Sequence, residues 1–317
     1  MSAEPLSFAA LASVSAAWTY APVALALLFG LLYGHRCRTV AREGQPVPGW
    51  QLACFGCGLL VFVLALVPPL GPLSQQLLMA HMAELLLLGD ICSLLVVLGL
   101  TAPLIAPLLQ MRAIGRLRVL TNPVVAIVCW AVNFYGWHWP AAYQFALRHQ
   151  GIRAIEFATF FIFGSCIWMA LLGPLPKPAS FGNSARLVYI IAVRLIGSVL
   201  GNVLVFGGTV FYGYYRAGEA HWHLSPLGDQ VYAGAIMMFE ESILTICLFA
   251  WLFARVARET EERQDLLDMA GPHGAVLREL HAARAASAAR AEELRERLQR
   301  SETGADATRT PVPGERS

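Results

Sequence analysis

Seven stretches of this 317-residue chain, near residues 18–34, 50–68, 77–100, 121–139, 153–173, 187–212 and 230–254, are almost wholly apolar. Each is close to the roughly 20 residues that a helix needs to cross a bilayer. No other feature constrains the fold as tightly. Backbone embedded in hydrocarbon finds no water to bond, so it must satisfy its own N–H and C=O groups, and a helix does this segment by segment. Hydrophobic residues make up 57% of the chain and charged residues 14%, too little charge to clothe a soluble domain of this size. The expected fold is all-α: an integral membrane bundle of seven transmembrane helices over 18–254. A short extracytoplasmic segment, 1–17, precedes it, and a cytoplasmic tail, 255–317, follows it, helical and then disordered.

Basic residues orient the bundle. Arg36, Arg38, Arg42, Arg112, Arg116, Arg118, Lys177, Arg186, Arg255 and Arg258 fall on one side. Arg148, Arg153 and Arg216 fall on the other. Ten against three places the N-terminus outside and the C-terminus in the cytoplasm. Met1–Ala17 has no basic start and contains Glu4, which makes it a poor cleavable signal. Ala102–Leu109, broken by Pro103 and Pro107, is too short to cross and is expected to be interfacial or re-entrant. The net charge of +2 follows from this topology. It points to the lipid bilayer as partner and gives no reason to expect nucleic acid.

Six of the seven Cys lie within the apolar stretches, which argues against a disulfide framework. Cys54 and Cys57 form a CxxC that suits either a soft metal or a redox pair, or simply two small packing residues one turn apart. Helix formers dominate Ala275–Arg300. A weak heptad of Leu277, Leu280, Ala291, Leu294 and Leu298 is interrupted there by Arg284 and Ser287. Phosphate-cradling GxxxxGK[ST], HExxH and a strand-borne GxSxG are all missing, and no enzymatic activity is expected.

Polar groups inside the stretches therefore carry the functional question, because each is costly in lipid. His81 and Glu84 share one helical face near the start of the third stretch. His138 ends the fourth among Trp137 and Trp139. His149, Arg153 and Glu156 share a face if the fifth helix reaches back through its loop. Asp229, Met237 and Met238 lie on the seventh. Imidazole, carboxylate and thioether together form a ligand set that copper accepts, with thioether favouring the cuprous ion. Other roles are open to the same residues: an interfacial anchor for His138, a helix–helix hydrogen bond for His81, solvated loop positions for His221 and His223. Asp90 and Arg194 come out at similar depth and are expected to form a structural ion pair.

The His81-Met82-x-x-Leu85-Leu86-Leu87-Leu88 run, Pro123 with Trp137-His138-Trp139-Pro140-x-x-Tyr143, Glu156 before a Phe-rich helix, and Asp229-Gln230-x-x-Ala233-Gly234-x-x-Met237 occur in that order. Together they resemble the CtaG-type cytochrome c oxidase assembly factors of bacteria, over roughly Tyr20–Arg255. The resemblance implies a multi-pass protein of the bacterial plasma (inner) membrane that matures a haem–copper oxidase. Its partners would be oxidase subunits or other assembly factors, and copper the cofactor or cargo. On that basis His81, His138 and Met237 are the expected metal contacts. Glu84, His149, Glu156, Asp229 and Met238 are expected as further ligands or as partners of the ligands. The chain departs from the family pattern at Leu85 and Phe157, where imidazoles are usual, and at Met238, where the pattern has Trp. Two rival readings use the same groups: an ion- or proton-coupled transporter built on Asp90, Arg194, Glu240 and Glu241, and a haem oxidoreductase with His81 and His138 as axial ligands.

Overall fold

The computed structural model describes residues 16–111, 118–175, 177–178, 180–270 and 298. The expected segment before residue 16, Arg112 and Arg116, and the tail beyond Ala270 other than residue 298 lie outside it. Among the described residues every regular element is helical. In chain order they are α1 (Ala16–Arg42), α2 (Gly49–Leu66), a single turn at Leu70–Leu73, α3 (Leu78–Leu98) and α4 (Ala102–Gln110). There follow α5 (Pro123–His138), α6 (Pro140–Arg148), α7 (Gln150–Leu171), α8 (Asn183–Phe206), α9 (Arg216–His221) and α10 (Pro226–Ala270).

Among the described residues, five helices are long and apolar enough to cross a membrane: α2, α3, α7, α8 and α10 up to Leu266. The sequence led us to expect seven. α5 has 16 residues because its ends are chemically fixed. The Asn122 side chain accepts a hydrogen bond from Val124 N at 3.1 Å, Pro123 opens the helix, and Pro140 starts α6 immediately afterwards. α1 is 27 residues long, but its last turns carry His35, Arg36, Arg38 and Arg42. Outward faces are apolar, with Leu31 73%, Val132 70% and Phe239 70% exposed. Such faces suit lipid as solvent.

α3 changes pitch in its middle. Leu87–Cys92 is π-helical between two α-helical segments. A wider turn loosens its carbonyls from the ladder, and side chains take them up. Ser93 Oγ donates to Gly89 O at 2.6 Å, and Trp168 Nε1 of α7 donates to Asp90 O at 3.0 Å. Packing of α3 on α7 depends on glycine, since a Cβ on Gly164 would stand 1.8 Å from Gly89 O. α8 and α10 approach in the same way, a Cβ on Gly234 falling 2.6 Å from Gly201 O. Cys92 Sγ donates to Gly58 O at 3.2 Å, tying α3 to α2. All seven cysteines are free thiols.

The chain divides into two compact units, Met1–Thr245 and Ile246–Ser317. In the second, Arg255 pairs with Glu259 one turn on. In the first, a core of Leu78, Met82, Leu85, Phe134, Tyr143, Phe160 and Met237 surrounds a buried polar centre.

Candidate functional site

That centre draws on α3, α5, α6, α7 and the segments around α9. His81 and Glu156 are both 0% exposed, and Glu84 is 1% exposed. Glu84 follows His81 by three positions, so one face of α3 presents both. His81 Nδ1 lies 3.8 Å from Glu84 Oε2, and its Nε2 lies 3.6 Å from Glu156 Oε1 on α7. Neither distance is a hydrogen bond. Both ring nitrogens of His81 and both carboxylate oxygens of Glu156 are buried without a hydrogen-bond partner.

Glu84 is differently placed. Arg153 Nη2 donates to its Oε2 at 2.7 Å and to Ser74 Oγ at 2.5 Å, while the guanidinium stacks over Phe157 at 5.1 Å. The pair is fully enclosed, so Glu84 is committed to Arg153. Phe157 is the stacking surface for that guanidinium.

His138 lies at the other end of the centre, 6% exposed. Its Nδ1 is 2.7 Å from Phe134 O and its Nε2 is 3.4 Å from Met82 Sδ. Phe134, Phe160 and Tyr143 crowd the imidazole, with ring centroids 4.7, 5.9 and 6.3 Å away. Tyr143 also meets His81 edge-on at 5.0 Å, and its hydroxyl pairs with that of Tyr215 at 2.8 Å. The aromatic wall thus touches both histidines.

Two neighbouring residues of α10 order these parts. Asp229 accepts from Leu78 N at 2.7 Å through Oδ2 and from Met79 N at 3.0 Å through Oδ1. It thereby caps the first turn of α3, immediately ahead of His81, from 150 residues away in sequence. Gln230 accepts from Phe211 N and donates to the carbonyls of Thr209 and Leu204. This fixes the strap that carries Tyr212, whose hydroxyl donates to His138 O at 2.8 Å.

Several expected site residues are placed elsewhere. The chain at His149 is extended (φ −128, ψ 103), α7 starts only at Gln150, and the exposed imidazole bonds Phe145 O. His149 therefore does not share the face of Arg153 and Glu156. Both oxygens of Asp229 are engaged by backbone N–H groups, which makes it a helix cap. Met237 packs in the surrounding apolar core, and Met238 sits against Gly201 of α8. Among the described residues no group of three or more His, Cys, Asp or Glu is arranged to hold a metal ion. Met82, Arg153, Ser74 and Tyr143 are the site residues that sequence reasoning left unassigned.

A second polar node lies at the π-helical turn. Arg194 of α8 donates to Asp90 Oδ2 at 3.2 Å and stacks over Trp168 at 5.5 Å. The carboxylate oxygens of Glu240 are buried without a hydrogen-bond partner.

Glu219, on α9 outside the candidate spans, is buried with Oε2 lacking a partner. Burial and the Asp229 carboxylate push its carboxyl up to about 6, against the pull of Arg216. The folded protein then holds this proton more tightly than the unfolded chain does. Its contribution to stability is fully present below pH 4.5 and is lost as pH rises through about 6. Thermal unfolding of Glu219→Gln should lose that slope. An unchanged slope would assign the titration to another group.

Residues 31–259 match the family described as cytochrome c oxidase caa3 assembly factor (Caa3_CtaG). Comparison with curated proteins and with solved structures found no match.

Proposed function

We propose, on the premise that this chain belongs to the cytochrome c oxidase caa3 assembly factor family, that it matures a haem–copper oxidase from within the bacterial plasma membrane. It catalyses no reaction of its own in this reading. It holds copper briefly, as cargo, on the extracytoplasmic side and meets oxidase subunits or other assembly factors there. The family match across most of the chain carries the assembly role. The distribution of basic residues supports an N-terminus outside, a cytoplasmic C-terminus and seven crossing helices, with α1 and α5 as the two that complete the count.

Donor chemistry supports the copper part. His138 presents an imidazole nitrogen to a thioether, and His81 and Glu156 have lone pairs that no hydrogen bond occupies. Imidazole and thioether are donors that copper accepts. Glu84 and Asp229 contribute indirectly, by holding Arg153 and the start of α3 respectively.

A chromosomal deletion tests the reading. Membranes of the deletion strain should lack assembled, haem-bearing oxidase by absorbance, and the full chain should restore it. His81→Ala and Glu156→Ala, each inserted at the wild-type level, should restore less than a tenth, roughly the loss that follows when a metal site's supporting groups are removed. Oxidase present in undiminished amount without this chain would refute the proposal.

A further inference from the structure

The polar centre is sealed. His81 and Glu156 are 0% exposed, so a solute reaches their unoccupied lone pairs only after part of the cover has moved. Three segments outside the long helices contribute side chains to that cover. The turn at Leu70–Leu73, which supplies Ser74, follows Pro68 and Pro69 and contains Pro72. Ring-locked φ angles leave it little freedom. α6, which supplies Tyr143, is joined to α5 through Trp139 alone and starts at Pro140. The strap between α8 and α10, residues 207–225, supplies Tyr212 and Tyr215 and is built differently.

Both ends of the strap are left-handed. Gly208 has φ 64 and His223 has φ 54, a conformation that suits glycine and that few other residues adopt. Between them the buried positions are Tyr212, Tyr215 and Glu219, on one face, and the residues around them are exposed or half-buried. Among the described residues no backbone–backbone hydrogen bond leaves residues 209–224. Side chains make the attachments instead. Gln230 bonds Phe211 N and Thr209 O. Tyr212 Oη donates to His138 O at 2.8 Å, the hydroxyls of Tyr215 and Tyr143 pair at 2.8 Å, and Trp222 Nε1 donates to Gln76 Oε1 at 3.0 Å. Such bonds are individually modest and break one at a time. Glu219 Oε2, beneath the strap, has no hydrogen-bond partner and adds nothing to the hold. Gly218 lets α9 seat directly on the chain at Gln76, where a Cβ would stand 2.1 Å from Gln76 O.

We propose that residues 209–222 are a lid over the polar centre, hinged at Gly208 and His223 and latched by Tyr212, Tyr215 and Trp222. The lid itself rests on this geometry; what passes beneath it rests on the assembly-factor reading. The latches end on the centre's own walls, since Tyr143 touches His81 and the His138 carbonyl closes α5. Lifting the strap therefore uncovers both histidines together.

The test uses the purified full chain in detergent. Hydrogen exchange read by mass spectrometry should find the amides of residues 209–222 opening as one unit, at least roughly tenfold faster than those of α3 and α7. Diethyl pyrocarbonate, which acylates imidazole, reports on the interior: His81 should react slowly beside the exposed His149. The double variant Tyr212→Phe with Tyr215→Phe leaves both hinges intact. It should raise strap exchange and His81 acylation together, by roughly three- to tenfold for each bond lost. Tyr232→Phe, at an exposed position, should change neither. The wild-type measurement decides the matter even if the double variant fails to fold. Strap amides as protected as those of α3, or His81 acylation that stays at the wild-type rate while strap exchange rises, overturns the lid. The two readings separate cleanly. A rigid strap in a chain whose deletion abolishes the oxidase removes the lid and keeps the assembly role. A strap that opens in a chain whose deletion leaves the oxidase intact does the reverse.

Discussion

Arg153→Met is expected to destabilise the protein by about 3–5 kcal/mol, the usual consequence of leaving one member of a buried ion pair without its partner. The side chains of Arg153 and Glu84 are 9% and 2% exposed, and their contact is 2.7 Å. Removing the guanidinium strands Glu84 beside Glu156 with only His81 between them. Ser74 Oγ, buried and bonded to Arg153, loses a donor as well. The informative comparison is the double variant. Arg153→Met with Glu84→Gln removes the charge that was stranded, and should recover most of the loss. Chemical unfolding in detergent micelles, monitored by tryptophan fluorescence, reads both. If the double variant is as unstable as the single one, the pair is not what holds this region together.

Gly164→Val should be the most damaging substitution outside the polar centre. Its Cβ would stand 1.8 Å from Gly89 O, a backbone atom in the π-helical turn that no rotamer change can move aside. α7 must then retreat from α3, pulling Glu156 from His81 and Trp168 from Asp90 O. Overpacking of this kind costs about 1–3 kcal/mol or more, and oxidase assembly should fall with it. Gly89→Ala offers the contrast. A Cβ there meets Phe160 at 3.3–3.5 Å, contacts that small shifts can relieve, so the loss should be clearly smaller. Equal losses at the two positions would show that close approach of the helices is not the cause.

The sequence revealed the helices well, and the polar centre only in part, for physical reasons. Apolar length announces a spanning helix without any knowledge of its neighbours, which is why α2, α3, α7, α8 and α10 were legible. His81 and Glu84 were legible as a pair because helical periodicity is local. Met82 was not, because adjacency says nothing about which neighbour lies 100° around the helix. The apolar run through residues 121–139 overstated α5, whose limits are set by a cap at Asn122 and by Pro140. His149 looked continuous with Glu156 until the chain opened at that residue. Asp229 was expected as a ligand or as a partner of the ligands, because a buried carboxylate invites both readings. The backbone N–H groups it accepts from belong to α3 and cannot be seen from α10. The π-helical turn left no sequence signal that periodicity could detect.

The Asp229 cap also orders events in time. Synthesis completes α3, α5 and α7 well before residue 229 leaves the ribosome, so during that interval the first turn of α3 has no Asp229 carboxylate to accept from Leu78 and Met79. A nascent chain halted ahead of Asp229 would hold its helices in lipid with both histidines in place and the start of α3 unanchored. Order at the start of α3, one turn ahead of His81, is thereby deferred until the last helix arrives.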